Sequence, residues 1–222
     1  MTIPPDEQQP DEQQGGSPVA RRGFNLGLPE GFIELPTDGD DLESPELTER
    51  LNAQVAAQFG LPPDGDNAAA AAAAFADLGI LAGGGGVDYS AIAFYQSPDD
   101  PARPIMILVT GIAMPSDHYG KDAAIAGLLE THKADGRGEP VAIQLPIGPA
   151  VAVAVEEKNF LAFDDEKIPI LTRQFSAWVP DPDGTTIGVV SVMTNCWQDW
   201  DHVCVLATEI FDSFEWHELS ST

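Results

Sequence analysis

Residues 173–216, RQFSAWVPDPDGTTIGVVSVMTNCWQDWDHVCVLATEIFDSFEW, predict most of the architecture of this 222-residue chain. The stretch begins with an alternation that places Phe175, Ala177 and Val179 on one face of a β-strand. The motif PDPDG at 180–184 then predicts a tight turn, because proline presets φ and glycine accepts a positive φ.

A second strand and a long helix complete this stretch. Residues 186–193 are apolar on both faces, which is typical of a central strand covered on each side. After an N-cap at Thr194 or Asn195, apolar residues recur every three or four positions and predict a helix of about six turns. The stripe comprises Trp197, Trp200, Val203, Ala207, Ile210, Phe211 and Phe214.

The rest of the chain adds helices and strands in a mixed order. A helix is expected from Ser44 to Gly60, because a serine N-cap, a proline and a final glycine bracket an apolar stripe. An alanine-rich helix follows, and a third helix covers 121–133. Residues 156–166 are polar and indicate a loop. Further strands are predicted at 89–96, 105–112, 141–145 and 150–155.

Consecutive strands with short connections predict an antiparallel sheet of about six strands with helices on both faces, an α+β sandwich. A single globular domain is expected over 23–217. The repeated DEQQ and the proline, glutamine and glycine content of residues 1–22 predict a disordered acidic tail, and 218–222 a disordered end.

The N-terminus and the cysteines indicate the compartment. A basic segment followed by an apolar one, the mark of a signal peptide, is missing, which favours a cytoplasmic location. No run of about 18 apolar residues occurs, so no membrane span is expected. On a shared helix, Cys196 and Cys204 would lie about 12 Å apart, too far for a disulfide.

The charge is extreme, with 36 acidic residues against 10 basic ones and a net charge of −26. Nucleic acids and anionic membrane surfaces are therefore excluded as expected partners, since both carry the same sign. One explanation is a basic protein partner whose approach the charge accelerates. The other is a general adaptation for solubility, which the even spread of acids along the chain favours.

Three motifs carry a resemblance to a known family. GFIELP at 31–36, LPIGPAVAVAV at 145–155 and WVPDPDG at 178–184, followed by a helix ending in Trp216, are similar to a set of uncharacterised actinobacterial proteins with a PsbP-like fold. The resemblance covers residues 30–216. The alanine-rich stretch near 68–82 and the cysteine and aspartate content of the last helix depart from the family pattern.

The resemblance implies an α/β/α sandwich of the kind shared by a photosystem extrinsic subunit and a Ran-binding nuclear import factor. It supplies no catalytic residues. Members of the wider fold act mainly by binding other proteins, and some of the actinobacterial set accompany type VII secretion genes. We therefore expect a non-enzymatic, acidic protein-binding or accessory module, with secretion as a candidate pathway.

The residues themselves indicate no catalytic, cofactor or metal site. The motifs GxSxG, HExxH and GxGxxG do not occur. On a helix, Cys196 and His202 would point to different faces, which argues against a Cys–His nucleophile and against zinc. The alternative is a small enzyme of unrecognised type with a pocket near Asp117, His118 and Tyr119.

The residues expected to bind a protein partner are Trp178, Asp199, Asp201 and His202. The last three belong to the polar face of the terminal helix, where they would be solvated or interfacial. Trp178, or an uncovered strand edge, could also mediate a homodimer.

Overall fold

A computed structural model describes residues 22–163 and 166–219, with the backbone alone described for 159–163 and 166–170. Four α-helices and nine strands form in this part of the chain. In order they are β1 (Arg22–Asn25), β2 (Phe32–Leu35), α1 (Pro45–Phe59), α2 (Asp66–Gly84), β3 (Tyr89–Gln96), β4 (Pro104–Pro115), α3 (Lys121–Asp135), β5 (Gly138–Leu145), β6 (Gly148–Phe163), β7 (Glu166–Pro180), β8 (Thr186–Thr194), α4 (Trp200–Asp212) and β9 (Glu215–Glu218).

Seven of the strands form one antiparallel sheet in the order β2-β3-β4-β8-β7-β6-β5. The α+β prediction is confirmed, with seven strands where about six were expected. A separate two-stranded ribbon pairs β1 with β9. The predicted central position of the strand at 186–193 is also confirmed, because β8 lies between β4 and β7.

Helices cover both faces of the sheet, and successive residues of β8 pack alternately against the helices on one face and on the other. Val190 and Val192 are fully buried in the core shared with Phe211 of α4. On the opposite face, Val189 packs in a cluster with Leu128 of α3. The helices α1 and α2 cover that same opposite face beside β2 and β3, so the molecule is an α/β/α sandwich.

Local turn and cap chemistry explains where several elements end. Ser44 caps α1, accepting a hydrogen bond from the Leu47 amide at 3.4 Å. Gly60 ends the same helix at φ 62°, in the left-handed region that favours glycine. Gly184, at φ 75°, occupies the equivalent conformation in the turn between β7 and β8.

The predicted polar loop at 156–166 is wrong over the described residues. There β6 and β7 continue as a long hairpin, paired from Glu156↔Arg173 to Phe163↔Glu166. Pairing between two strands satisfies their backbone N–H and C=O groups and does not require the alternating apolar pattern of a covered strand.

The terminal helix is shorter than predicted. A 3₁₀ turn at Trp197–Asp199 precedes α4, which has 13 residues, and Asp199 rather than Thr194 or Asn195 occupies the N-cap position. The chain then forms β9 instead of continuing the helix. Consequently Cys196 lies outside α4, and both cysteines are free thiols.

The two predicted disordered ends fall mainly outside the described residues, since 1–21 and 220–222 are not described. The described residues begin one position before the predicted domain and end two positions after it. Arg22 pairs with Glu218 across the β1–β9 ribbon. Its guanidinium also contacts the buried Asp181 at 3.4 Å and Asp183 at 2.8 Å, so this arginine is held against the domain.

Helix α2 is long and apolar enough to cross a membrane by length and composition alone. In this structure it lies on the sheet, and 22% of its apolar window is buried. Its buried positions are alanines and one glycine, which allow close approach of helix and sheet. The absence of a membrane span stays a prediction. The buried positions are Ala68, Ala72, Ala76 and Gly79.

Candidate functional site

The outer surface of α4 is the part of the predicted binding site that the structure leaves accessible. Asp201 and His202 are both exposed there. Val205 lies one turn further on and is 62% exposed, an unusual position for a valine. Glu209 and Asp212 continue the exposed side at helical spacing. These five residues are called the α4 face below.

An exposed aromatic residue lies next to the α4 face. Trp197, predicted to belong to the buried stripe, is 54% exposed in the 3₁₀ turn before the helix. That part of the prediction is wrong because the stripe assumed a helix that began before residue 197. Trp200 does pack against the core, and the Arg173 guanidinium lies 5.6 Å from the centroid of its ring.

Asp199 is not on the polar face of the helix, contrary to the prediction. Its side chain is fully buried, and Arg103 binds both carboxylate oxygens, Nε to Oδ2 at 2.9 Å and Nη2 to Oδ1 at 3.0 Å. Ser97 donates a further hydrogen bond to Oδ1 at 2.5 Å. Asp199 therefore ties the β3–β4 connection to the start of α4 and cannot contact a partner.

This network also sets the charge state of the carboxyl group. Hydrogen bonds from Arg103 are the largest cause that holds the pKa of Asp199 below its ordinary value, and Ser97 adds to the effect. Desolvation acts in the opposite direction but is outweighed. Asp199 is thus held as a carboxylate, the form that accepts all three hydrogen bonds.

We expect Asp199→Asn to destabilise the protein, and the difference from the wild type to shrink with acid. The folded-state pKa lies below the unfolded-state value, so the carboxylate contributes stability above the unfolded pKa and loses it as pH falls through the folded pKa. Urea unfolding of both proteins from about pH 7 to about pH 3 measures this difference. The exposed Glu209→Gln on α4 is the control, with a small effect throughout. A constant difference for Asp199→Asn would contradict the pairing.

The same region contains a group of three residues of the types that ligate metal ions. Asp99, Asp199 and His202 offer three ligand atoms within 4.8 Å of one another. His202 Nε2 lies 3.2 Å from Asp99 Oδ2. Both oxygens of Asp199 are already bonded to a guanidinium, however, and that positive charge opposes a metal cation. The arrangement is a hydrogen-bonded group built on the Arg103–Asp199 ion pair, and the expectation of no metal site stays a prediction.

Trp178 lies on the other side of the sheet from the α4 face. It belongs to the central strand β7, is partly buried in the cluster under α3, and meets the His132 ring edge-to-face at 4.6 Å. Burial lowers the pKa of His132. The four predicted binding residues therefore do not form one site. For a homodimer, the available edges of the main sheet are β2 and β5, and Val141 of β5 is 53% exposed.

The alternative enzyme pocket is only partly assembled. Asp117 and Tyr119 border a cavity of about 850 Å³ between the β1–β9 ribbon and the end of β4. His118 does not border it, because its ring lies against Gly127 of α3 with Nδ1 3.1 Å from Ser116 Oγ. The predicted trio thus does not converge on one point, as acid–base chemistry requires.

Sequence reasoning missed Arg103, Glu209 and Val205 as contributors to this region. The spacing from Asp201 to Val205 and Glu209 was a usable signal, since positions four apart share a helix face. Arg103 had no such signal, because it lies 96 residues from Asp199.

Comparison with known proteins does not assign a family. Neither a protein-family model nor a curated protein matches the chain. Among solved structures, it is similar to the crystal structure of LpqN, involved in cell envelope biogenesis of Mycobacterium tuberculosis, at 10% identity and a TM-score of 0.39. That match covers 91% of this chain and 87% of LpqN. So distant a likeness does not confirm a PsbP-like fold or identify a function.

Proposed function

We propose that this chain is a non-enzymatic accessory protein of the cytoplasm that binds a positively charged protein partner through the α4 face. The observation that carries the proposal is that the described arginines are all paired with carboxylates of the same chain. Each arginine in the described part lies within 3.6 Å of a carboxylate, so these charges are neutralised locally. The remaining surface is left strongly acidic. The five are Arg22, Arg50, Arg103, Arg137 and Arg173.

The α4 face and the adjacent Trp197 supply the other properties of a docking surface. Trp197 and Val205 expose apolar side chains that a partner could bury, and a tryptophan is a frequent energetic anchor at interfaces. Asp201, Glu209 and Asp212 add negative charge along the exposed side of the same helix. Such a pattern accelerates encounter with a basic protein and selects against acidic ones.

The resemblance of residues 30–216 to PsbP-like proteins supports an accessory role, because members of that fold act mainly by binding proteins. The α/β/α layering agrees with it. A place in type VII secretion follows from the resemblance by analogy and belongs to the proposal on that footing.

Affinity capture with matched charge variants tests the proposal. The immobilised full chain is exposed to lysate of the source organism at low salt and at about 0.5 M salt, and bound proteins are identified by mass spectrometry. The test variant is Asp201→Lys with Glu209→Lys on α4. The control is Glu49→Lys with Glu130→Lys, which makes the same charge change at exposed positions on α1 and α3, across the sheet. Circular dichroism verifies that both variants fold.

We expect a basic protein that binds at low salt, dissociates at high salt, is retained by the control and is lost by the α4 variant. Equal loss of the partner with both variants would show that binding responds to net charge alone and would exclude the α4 face as the binding site. Capture of nothing at either salt concentration would contradict a protein-binding function.

A further inference from the structure

A second concave site lies between α1, α2 and β2, on the opposite face of the sheet from the α4 face. Its volume of about 540 Å³ is within the range of small-molecule sites. The lining is mainly apolar and includes four buried side chains, which form its floor. These are Leu35, Leu51, Ala72 and Ala76.

The cavity exists because α2 presents only small side chains to it. Ala69, Ala72, Ala73 and Ala76 supply this wall, and none extends beyond Cβ. Across the gap, α1 contributes the larger Leu47. Alanines therefore leave unfilled a space that longer residues would occupy in an ordinary helix–helix interface.

Aromatic packing holds the two helices in place beside the cavity. Phe59 of α1 stacks on Phe75 of α2 with ring centroids 6.0 Å apart. Both rings also meet Phe94 of β3, at 5.3 Å and 5.9 Å. This cluster fixes the helix pair against the sheet, so the gap cannot close by moving α2 toward α1.

The charged residues that line the cavity are four carboxylates and one guanidinium. Arg50 is paired with Glu34 at 3.6 Å, and Tyr89 donates a hydrogen bond to the same carboxylate at 3.2 Å. Burial, followed by the charge of Glu34, raises the pKa of Tyr89, so its hydroxyl remains a donor. Asp77 and Asp88 are exposed at the cavity surface. The fourth carboxylate is Asp41.

We propose that this cavity binds a small amphiphile with an alkyl body and a cationic end. The alkyl chain would bury against the leucines and alanines, which the hydrophobic effect favours. The cationic end would remain near Asp77 and Asp88, partly hydrated, and so avoid the cost of burying a charge. A carboxylate at the same end would be repelled. The site is separate from the α4 face and does not depend on a protein partner.

Calorimetric titration of the full chain with decylamine, below its micelle concentration, tests this inference. Decanoate serves as the probe of equal chain length and opposite charge. Ala73→Leu fills the cavity from an exposed position that lines it, and leucine keeps the helix favourable. The matched control is Ala74→Leu, exposed on the same helix but outside the lining.

We expect one saturable decylamine site in the wild type and in Ala74→Leu, with affinity lowered at least about tenfold in Ala73→Leu and for decanoate. Amide chemical-shift changes in the wild type should map to α1, α2 and β2, an independent test if Ala73→Leu fails to fold. Weak, non-saturating binding, or equal affinity in both leucine variants, would show general attraction to an acidic protein. Equal affinity for decanoate would exclude a role for the carboxylates.

Discussion

Phe211→Ala should lower the free energy of unfolding by about 3–5 kcal/mol, the range measured for removal of a large buried aromatic side chain. Phe211 is 2% exposed and packs between α4 and the sheet. Its ring meets Phe175 of β7 edge-to-face at 5.2 Å. Truncation would forfeit the buried apolar area and leave a cavity that rigid neighbours cannot fill.

Such a loss is a large fraction of the 5–15 kcal/mol that typically stabilises a domain. Urea unfolding followed by tryptophan fluorescence would measure the change, with an unchanged slope as the sign that the denatured state is unaltered. Val205→Ala is the matched control on the same helix, since Val205 is 62% exposed. Its effect should stay within about 0.5 kcal/mol. Similar effects for the two substitutions would contradict the packing of α4 described above.

The sequence predicted those elements whose patterns are local. The apolar residues on both faces of β8 identified a central strand, because a strand covered on both sides carries apolar residues at consecutive positions. The PDPDG motif identified the turn before β8, because a turn of this kind is specified by the residues that form it. Ser44 and Gly60 fixed the ends of α1 through cap chemistry alone.

The elements that were missed depend on partners far along the chain. The predicted helix ended at Trp216, and only the pairing of β9 with β1, 190 or more positions earlier, selects the extended form. In the same way, the residues after Glu156 do not alternate between apolar and polar, so no local pattern predicts a strand there. They pair because β7 returns alongside them.

The candidate site was predictable only where it follows helix periodicity. The exposure of Asp201 and His202 follows from their position opposite the buried stripe. Asp199 also looked like a surface residue, but the bidentate contact with Arg103 across 96 positions buries it. Trp178 faces α3 rather than α4, which depends on the path of the intervening chain.

Gly83→Ala is expected to destabilise the protein by about 1–3 kcal/mol, the cost of overpacking a close contact. Elsewhere in a helix this substitution stabilises, because alanine is a better helix former than glycine by about 1 kcal/mol. At Gly83, however, a Cβ atom would overlap the backbone carbonyl of Thr37. Backbone cannot rotate aside as a side chain can, so α2 would have to shift away from the segment after β2.

Gly84→Ala is the control that isolates this contact, because a Cβ at the adjacent residue would meet nothing within 4 Å. It should be neutral or stabilise the protein by up to about 1 kcal/mol. Thermal and urea unfolding of the two variants therefore should give changes of opposite sign at neighbouring positions of one helix. Equal stabilisation by both would mean that α2 does not approach Thr37 closely. Since Thr37 also lines the α1–α2 cavity, we expect Gly83→Ala, but not Gly84→Ala, to weaken decylamine binding as well.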